Sequence, residues 1–361
     1  MKILIDIGHP AHVHYFRNFI SIMKSKGHEF VITARDKEVT LYLLDYYNIK
    51  FVPRGTGRIG LLGKFFYIFV ADILILRESI QFKPDIFLSF GSPYAAHISW
   101  ILRKPHIAFD DTEHAFFEHL LYVPFTKIIL TPKNFRKNFG SKHIFFNSTM
   151  DLCYLQSKYF YPDRSILDFL GIKEGEDYVL MRFVSWDASH DKGQKGVSLE
   201  NKILAVKTIS KYCKVLISSE KKLPEELQQY QIKVPYEKMH DVLFFAKLFF
   251  GESGTMASEA CVLGTPAINV ATSAELIGVF DDFISSNLMY VIPDNKKAIN
   301  KAEELLKSSV SKQDSRRIAN EFIHSRIDVT ELMVWLIEQF PVSVKILKQN
   351  KNFQNSFLNK L

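Results

Sequence analysis

The sequence predicts an α/β protein built from two Rossmann-like, doubly wound domains facing a cleft, and three observations carry the prediction. Short apolar segments alternate with helix-period segments from Lys2 onward, the βαβ rhythm of a parallel sheet with helices on both faces. The rhythm lapses over residues 151–171, an aromatic and polar stretch, and then resumes. At 361 residues the chain is long enough for two domains of ordinary size. The expected division is 1–160, 170–328, and a C-terminal helix with a basic tail over 329–361.

In the first domain Lys2–Ile7 reads as an apolar strand, and Val13–Lys26 as a helix with Phe16, Phe19, Ile20 and Met23 on one face. A strand Glu29–Ala34, a helix Glu38–Tyr47 and a short strand Lys50–Val52 follow, then a long apolar helix Arg58–Gln81. Asp85–Phe90, His106–Phe109 and Lys127–Leu130 complete the strands, with a helix Tyr94–Leu102 between the first two. The second domain repeats the pattern with strands Tyr178–Phe183, Lys214–Ser218, Leu243–Phe250 and Ala267–Asn269. Helices are expected over Asn201–Lys211 and after Ser253, and Val242–Lys247 also reads as helical. Near the end Asp328 is placed to cap a helix running through Leu332, Trp335 and Leu336 to Pro341. The remaining tail, Val342–Leu361, has four lysines and no acids.

A content of 47% hydrophobic and 24% charged residues describes a globular chain and excludes a disordered one. With 31 Phe and 15 Tyr, the core is expected to be Phe-rich. The net charge of +7 suits anionic partners: nucleotide phosphates, a lipid headgroup surface or nucleic acid. The excess is spread along the chain with no Arg-rich stripe among aromatics, so nucleic acid is not an expected partner. Cys153, Cys213 and Cys261 lie far apart in no metal-ligand spacing and read as small buried hydrophobes in a reducing compartment. The opening MKILIDIG is a strand and not a signal peptide. The nearest approach to a membrane span, Leu61–Leu76, is broken by Gly63, Lys64 and Asp72. The expected address is cytoplasmic, with peripheral attachment at the inner face of the membrane as a variant of it.

The most informative stretch is GESGTMASEACVLGTPAI, Gly251–Ile268. Gly251, Ser253, Gly254 and Thr255 form a tight turn after a buried strand. Met256–Leu263 continues as a helix closed by Gly264, with Pro266 two residues on. A small-residue turn feeding a helix N-terminus exposes backbone N–H groups with a partial positive charge behind them, the features of a phosphate or diphosphate site. Glu259, one turn inside the helix, is placed to accept from two vicinal hydroxyls of a ribose; the plain alternative is a solvated glutamate.

Other candidates sit at strand ends. Gly8-His9-Pro10-Ala11-His12-Val13-His14 follows the first strand, with three histidines in six residues. A helix dipole there holds histidines neutral, which suits a general base; surface or capping histidines are the alternative. Asp110-Asp111-Thr112-Glu113-His114 follows the strand His106–Phe109. Clustered acids raise one another's pKa, so Asp110, Asp111 or Glu113 is a candidate acid or base; the alternative is a solvated loop that caps the next helix. The spacing is not Asp-x-Asp, so no metal is expected. Arg182 and Ser185 follow the second domain's first strand and are candidate phosphate partners, with His190 and a lid loop Asp191–Gly196 beyond them. A surface ion pair is the alternative for Arg182. The main chain of Pro235–Asp241 is placed to meet a nucleotide base, with His240 and Asp241 as plain helix-cap residues the alternative. Arg58–Arg77, rich in Phe, Leu and Ile, reads as a membrane-docking or lipid-acceptor helix or as a buried core helix.

At these blocks the sequence resembles a known family. IDIGHPAHVHYFRNFI, DDTEHA, RFVSWDASHDKGQKG and GESGTMASEACVLGTP, in that order, resemble the family catalogued as domain of unknown function 354. That family is similar to nucleotide-sugar enzymes of the glycosyltransferase-B superfamily. The resemblance runs from the first residue to about Asp328. It implies the glycosyltransferase-B fold, with a nucleotide-sugar donor held mainly by the second domain and the acceptor by the first. His12-Val13 is similar to the His-Val pair that opens the first helix of the enzyme adding N-acetylglucosamine to lipid I, which implies His12 as base; Pro10 replaces that enzyme's Gly-rich loop. The same relatives imply that Ser253, Gly254 and Thr255 hold the diphosphate and Glu259 the ribose.

The function implied is a cofactor-free, metal-independent transfer of a sugar from a nucleotide donor, UDP expected, to a surface-polysaccharide or lipid-linked acceptor. His12, Asp110, Asp111 or Glu113 would take the acceptor proton. His9, His14, His114, His190 and His240 are expected substrate contacts. Two alternatives stay open. Non-hydrolysing UDP-N-acetylglucosamine 2-epimerases share the small-residue turn with Glu-Ala and Leu-Gly-x-Pro after it, but their Gly-Thr-Arg-Pro-Glu opening loop is absent here. The other alternative is a non-catalytic nucleotide-sugar binding protein.

Overall fold

The structure, a computed structural model, describes residues 1–57, 60–183, 197–219 and 222–359. The chain falls into two compact units. One is Met1–Tyr154 together with the segment from Arg326 onward, and the other is Leu155–Ser325.

The first unit holds strands β1 (Lys2–Ile7), β2 (Glu29–Ala34), β3 (Val52–Pro53), β4 (Ile86–Phe90), β5 (His106–Phe109), β6 (Ile128–Pro132) and β7 (His143–Phe146). They form one parallel sheet in the order β3-β2-β1-β4-β5-β6-β7. Ile3, Leu4, Ile5 and Ile7 of β1 are all fully buried, as a central parallel strand covered on both faces requires. The connecting helices are α1 (Pro10–Ser25), α2 (Thr40–Tyr46), α3 (Leu61–Phe82), α4 (Pro93–Ile101) and α5 (Phe116–Tyr122). Strand order reverses between β1 and β4. Right-handed crossovers therefore place α1 and α2 on one face of the sheet and α3, α4 and α5 on the other.

α1 begins three residues earlier than its apolar stripe predicts. Pro10 supplies a pre-set φ at the first helical position, and His9 Nδ1 accepts from Ala11 N–H at 3.2 Å as the cap. β7 was not expected, and α5 was anticipated only as a helix, without bounds, that the loop Asp110–His114 would cap. α5 starts without a side-chain cap, and β7 is a four-residue edge strand.

The second unit holds α6 (Ser165–Phe169), β8 (Tyr178–Phe183), α7 (Leu199–Ile209), β9 (Lys214–Ser219), α8 (Glu225–Gln228) and α9 (Met239–Phe245). Then come β10 (Leu248–Gly251), α10 (Gly254–Val262), β11 (Ala267–Asn269), α11 (Asp281–Ser285), β12 (Met289–Val291), α12 (Asn295–Lys307) and α13 (Lys312–His324). Its sheet is parallel in the order β12-β11-β10-β8-β9, with the reversal between β10 and β8. Residues Leu243–Phe245, which fit an early start of β10, belong instead to the end of α9. The helical reading of that stretch prevails, with His240, Asp241, Val242 and Leu243 all buried.

After Ser325 the chain returns to the first unit as α14 (Val329–Glu338) and α15 (Val342–Gln349). Asp328 caps α14 by accepting from Glu331 N–H. α14 packs on α1, and Thr330 Oγ1 donates to Cys153 O at 3.2 Å. Trp335 meets Phe353 and Phe357, which close the tail onto α14. The stretch read from sequence as a separate helix and tail is thus packed into the first unit.

Candidate functional site

In open α/β sheets, ligands sit beyond the carboxyl ends of the strands where strand order reverses. In the first unit that edge is formed by the loops after β1 and β4, Gly8-His9 and Gly91-Ser92. Beneath them lies a buried polar network that the sequence did not single out. Asp6 of β1 is fully buried; its Oδ1 accepts from Thr33 Oγ1 and Arg54 Nε, both at 2.8 Å. Its Oδ2 accepts from Arg54 Nη2 at 3.1 Å and Ser92 Oγ at 2.5 Å. Arg54 Nη1 donates to Tyr67 OH at 2.6 Å, and its guanidinium lies 4.6 Å from the Tyr94 ring centre. A bidentate Arg–carboxylate pair with its remaining donors engaged is the form in which buried charge is tolerated.

His12 sits against this network. A Cβ on Gly8 would stand 3.6 Å from Arg54 Nη2 and 3.9 Å from His12 Cε1. Burial first, then His9, Lys37 and Arg54 hold the imidazole well below its usual range, so it is neutral. Gly8 N–H donates to Nδ1 at 3.3 Å. Neutral His12, with Nδ1 accepting, carries its proton on Nε2. His9 engages Nδ1 as the helix cap. His14 is buried and stacks on Tyr154 at 5.1 Å, a packing position.

After β5, Asp110 has its oxygens occupied. Oδ1 accepts from Thr112 N–H at 2.8 Å; Oδ2 accepts from His119 Nε2–H at 2.9 Å and Tyr122 OH at 2.5 Å. These bonds anchor α5 to the strand end. Asp111 is half-buried; burial first, then Asp110 and Asp151, push its carboxyl well above the usual range. A carboxyl so shifted holds its proton more readily than a free one, which suits a candidate for proton exchange. Glu113 is buried, its Oε1 accepting from Arg136 N–H at 3.4 Å, and His114 is half-buried beside it in sequence. The structure thus gathers His12 with Arg54, and Asp111 with Asp110 and Asp151.

In the second unit the loop after β10 enters α10 at Gly254, two residues earlier than expected, because Ser253 is the cap and accepts from Met256 N–H at 3.3 Å. Gly264, with φ +79°, closes the helix. Gly251 is obligatory: a Cβ there would stand 2.4 Å from Arg182 O on the paired strand. The N–H groups of Gly254 and Thr255, in the first helical turn, have no intrahelical acceptor. Asn269, at the end of β11, is fully buried. Its Oδ1 accepts from Ala271 N–H at 2.9 Å, which fixes the amide's orientation. Its Nδ2 lies 4.0 Å from where a Cβ on Gly254 would stand, a position that Phe280 Cζ approaches to 3.2 Å, and has no hydrogen-bond partner among the described residues. A buried orphan donor beside a helix N-terminus is a place for an oxygen of a ligand.

Arg182, at the end of β8, donates from Nη1 to Ser218 Oγ at 2.9 Å. Glu252 is buried and its Oε1 accepts from Val197 N–H at 2.7 Å. Glu259 is buried, with Oε1 3.0 Å from His240 Nε2. His240 thus holds the carboxylate the sequence singled out, and Asp241 accepts from Asp163 N–H at 2.8 Å. Ser185, His190 and the loop Asp191–Gly196 lie outside the described residues. Among the described residues, no three His, Cys, Asp or Glu side chains are grouped to hold a metal ion, and no helix is long and apolar enough to cross a membrane.

A family model described as "Protein of unknown function (DUF354)" matches residues 1–335. An uncharacterised protein of Methanocaldococcus jannaschii is 29% identical over 319 residues, covering 85% of this chain and 92% of its own. The UDP-GlcNAc 2-epimerase of the same organism is similar in structure with a TM-score of 0.64 at 17% identity, over 89% of this chain and 99% of its own. The Neisseria meningitidis UDP-GlcNAc 2-epimerase, solved bound to UDP-GlcNAc, gives 0.61 at 13% identity, over 90% and 99%. A glycosyltransferase of Streptomyces sp. SF2575 gives 0.59 at 14% identity, over 94% and 100%. At such identities the likeness is one of fold: two Rossmann-like parallel-sheet domains of glycosyltransferase-B type.

Proposed function

The chain belongs to the DUF354 family, and from that premise we propose that it is a metal-independent glycosyltransferase. It would move a sugar from a nucleotide donor, with UDP as the nucleotide, to a surface-polysaccharide or lipid-linked acceptor. The observation that carries the reading is the α10 entrance, where Asn269 Nδ2, without a hydrogen-bond partner among the described residues, lies near the first turn of a capped helix. In this reading Ser253, Gly254, Thr255 and Asn269 hold the donor's diphosphate and Arg182 adds positive charge to it. Glu259, oriented by His240, receives the ribose hydroxyls. As the glycosidic bond to the diphosphate breaks, the negative charge that develops on the leaving oxygens is met by the helix dipole, the amide and the guanidinium. Asp111 takes the acceptor proton, since Asp110 is fully engaged and His12 presents a donor. His12 Nε2–H then serves as a hydrogen-bond donor to substrate.

Support also comes from the fold shared with enzymes solved with UDP-sugars. The same likeness favours a second reading, a nucleotide-sugar 2-epimerase, because several of the similar structures are 2-epimerases. Incubating the protein with UDP-GlcNAc and following products by NMR separates the two. Epimerisation without acceptor would refute the transferase. Tight UDP-sugar binding with no turnover under any acceptor, unchanged by Asp111→Asn, would refute both and leave a binding protein.

A further inference from the structure

The face of the first sheet covered by α3, α4 and α5 is apolar outward as well as inward. On α3, Phe66, Phe69, Ile73 and Ile80 recur at helical spacing and each is more than half exposed. Trp100, near the end of α4, is 63% exposed, and Phe117 of α5 is 75% exposed. The helices lie side by side, joined by one ring: His97 of α4 meets Asp72 Oδ2 of α3 at 2.9 Å through Nδ1 and Leu121 O of α5 at 3.1 Å through Nε2. Single exposed hydrophobics are ordinary, but large aromatic and aliphatic side chains on three adjoining helices mark a surface that is covered in use.

Charge identifies the cover. Arg77 is exposed within the α3 stripe, one turn from Ile73, and the exposed Arg103 and Lys104 follow Trp100 and Ile101. Lys137 Nζ lies 5.6 Å from the Phe116 ring centre on α5. Of the acids on these helices, Asp72 is tied to His97, and Glu78 and Glu118 are half-buried. With no exposed acid on α3, α4 or α5 among the described residues, a second copy meeting this face about a two-fold axis offers these cations no complement. An anionic bilayer instead takes the aromatic and aliphatic groups at the headgroup–acyl boundary and the cations at its phosphates. We propose that α3, α4 and α5 dock the protein on an anionic lipid surface. The docking does not depend on the sugar chemistry, and it places the chain where a lipid-linked acceptor is found.

The test uses the full chain and vesicles of phosphatidylcholine alone or with about one-third phosphatidylglycerol. The protein is expected to sediment with the anionic vesicles only, and less so as salt rises. The variant Phe69→Ser/Ile73→Ser/Phe117→Ser should bind about tenfold more weakly or worse. Arg103→Gln/Lys104→Gln should weaken binding and flatten its salt dependence. Both variants alter exposed side chains, so their melting curves and their thermal shift with UDP should match the unaltered protein. Those shifts report the donor site separately, so failure of docking and failure of the nucleotide reading are told apart. No sedimentation with anionic vesicles, or equal sedimentation of the apolar variant, would overturn the proposal. So would a dimer in analytical ultracentrifugation that the apolar variant dissolves.

Discussion

Replacing Asn269 by Ala should weaken UDP binding while leaving the unliganded fold nearly as stable as before. The amide Nδ2 is buried with no hydrogen-bond partner among the described residues, and a buried unsatisfied donor costs about 1–3 kcal/mol. That cost is carried by the free protein and relieved when a phosphate oxygen arrives. Removing the amide removes the relief, so the dissociation constant for UDP should rise about fivefold to 150-fold. The side chain also accepts from Ala271 N–H, and losing that bond costs about 1 kcal/mol. The two effects oppose each other in the unliganded state, which should change by no more than about 1–2 kcal/mol. Titration calorimetry with UDP and urea denaturation without it measure the two quantities. Unchanged affinity would refute the assignment of Asn269 to the ligand, and a collapse of stability without ligand would show that the amide serves the fold instead.

Gly251→Ala should destabilise the chain by about 1–3 kcal/mol or more, because the new methyl meets backbone and has no flexible neighbour to displace; a urea midpoint equal to the unaltered protein's would contradict this. Arg54→Met alone should cost about 3–5 kcal/mol by stranding buried Asp6, and Asp6→Leu/Arg54→Met should recover much of it; a double variant as unstable as the single one would show that packing and not charge decides the site. For Asp111 the folded carboxyl is raised, so its contribution to stability is complete below the unfolded value of about 4 and is lost as pH rises through the folded value. Asp111→Asn should therefore be the more stable form at neutral pH, the difference fading toward about pH 4; denaturation midpoints across that window check the sign.

The strands that were legible are those with a continuous apolar run buried on both faces, such as β1, β5 and β8, since parallel pairing asks for that pattern and little else. β7 escaped notice as a short edge strand, and α5 was anticipated without bounds. β12 was missed although it lies inside the apolar run Leu288–Ile292. In the candidate site, the α10 turn and Glu259 were readable because their relations are local. Arg54 and Asp6 were not: the pair spans 48 positions, the aspartate sits inside an apolar run, and the arginine follows a two-residue strand. Likewise, His240 looked like a cap residue until the 19 positions separating it from Glu259 closed to a hydrogen bond. Asn269 looked like the last residue of a strand, and only the structure shows its Nδ2 to have no hydrogen-bond partner among the described residues.

The chain's return to its first unit after Ser325 also bears on biosynthesis. The second unit is one uninterrupted piece, whereas the first is complete only when α14, nearly 180 residues beyond Tyr154, has been made. As the chain leaves the ribosome, the side of α1 that α14 covers stays open while Leu155–Ser325 emerges and folds. A fragment stopped at Tyr154 would carry all seven strands of the sheet and still present that bare apolar side to whatever chaperone or neighbouring chain it meets.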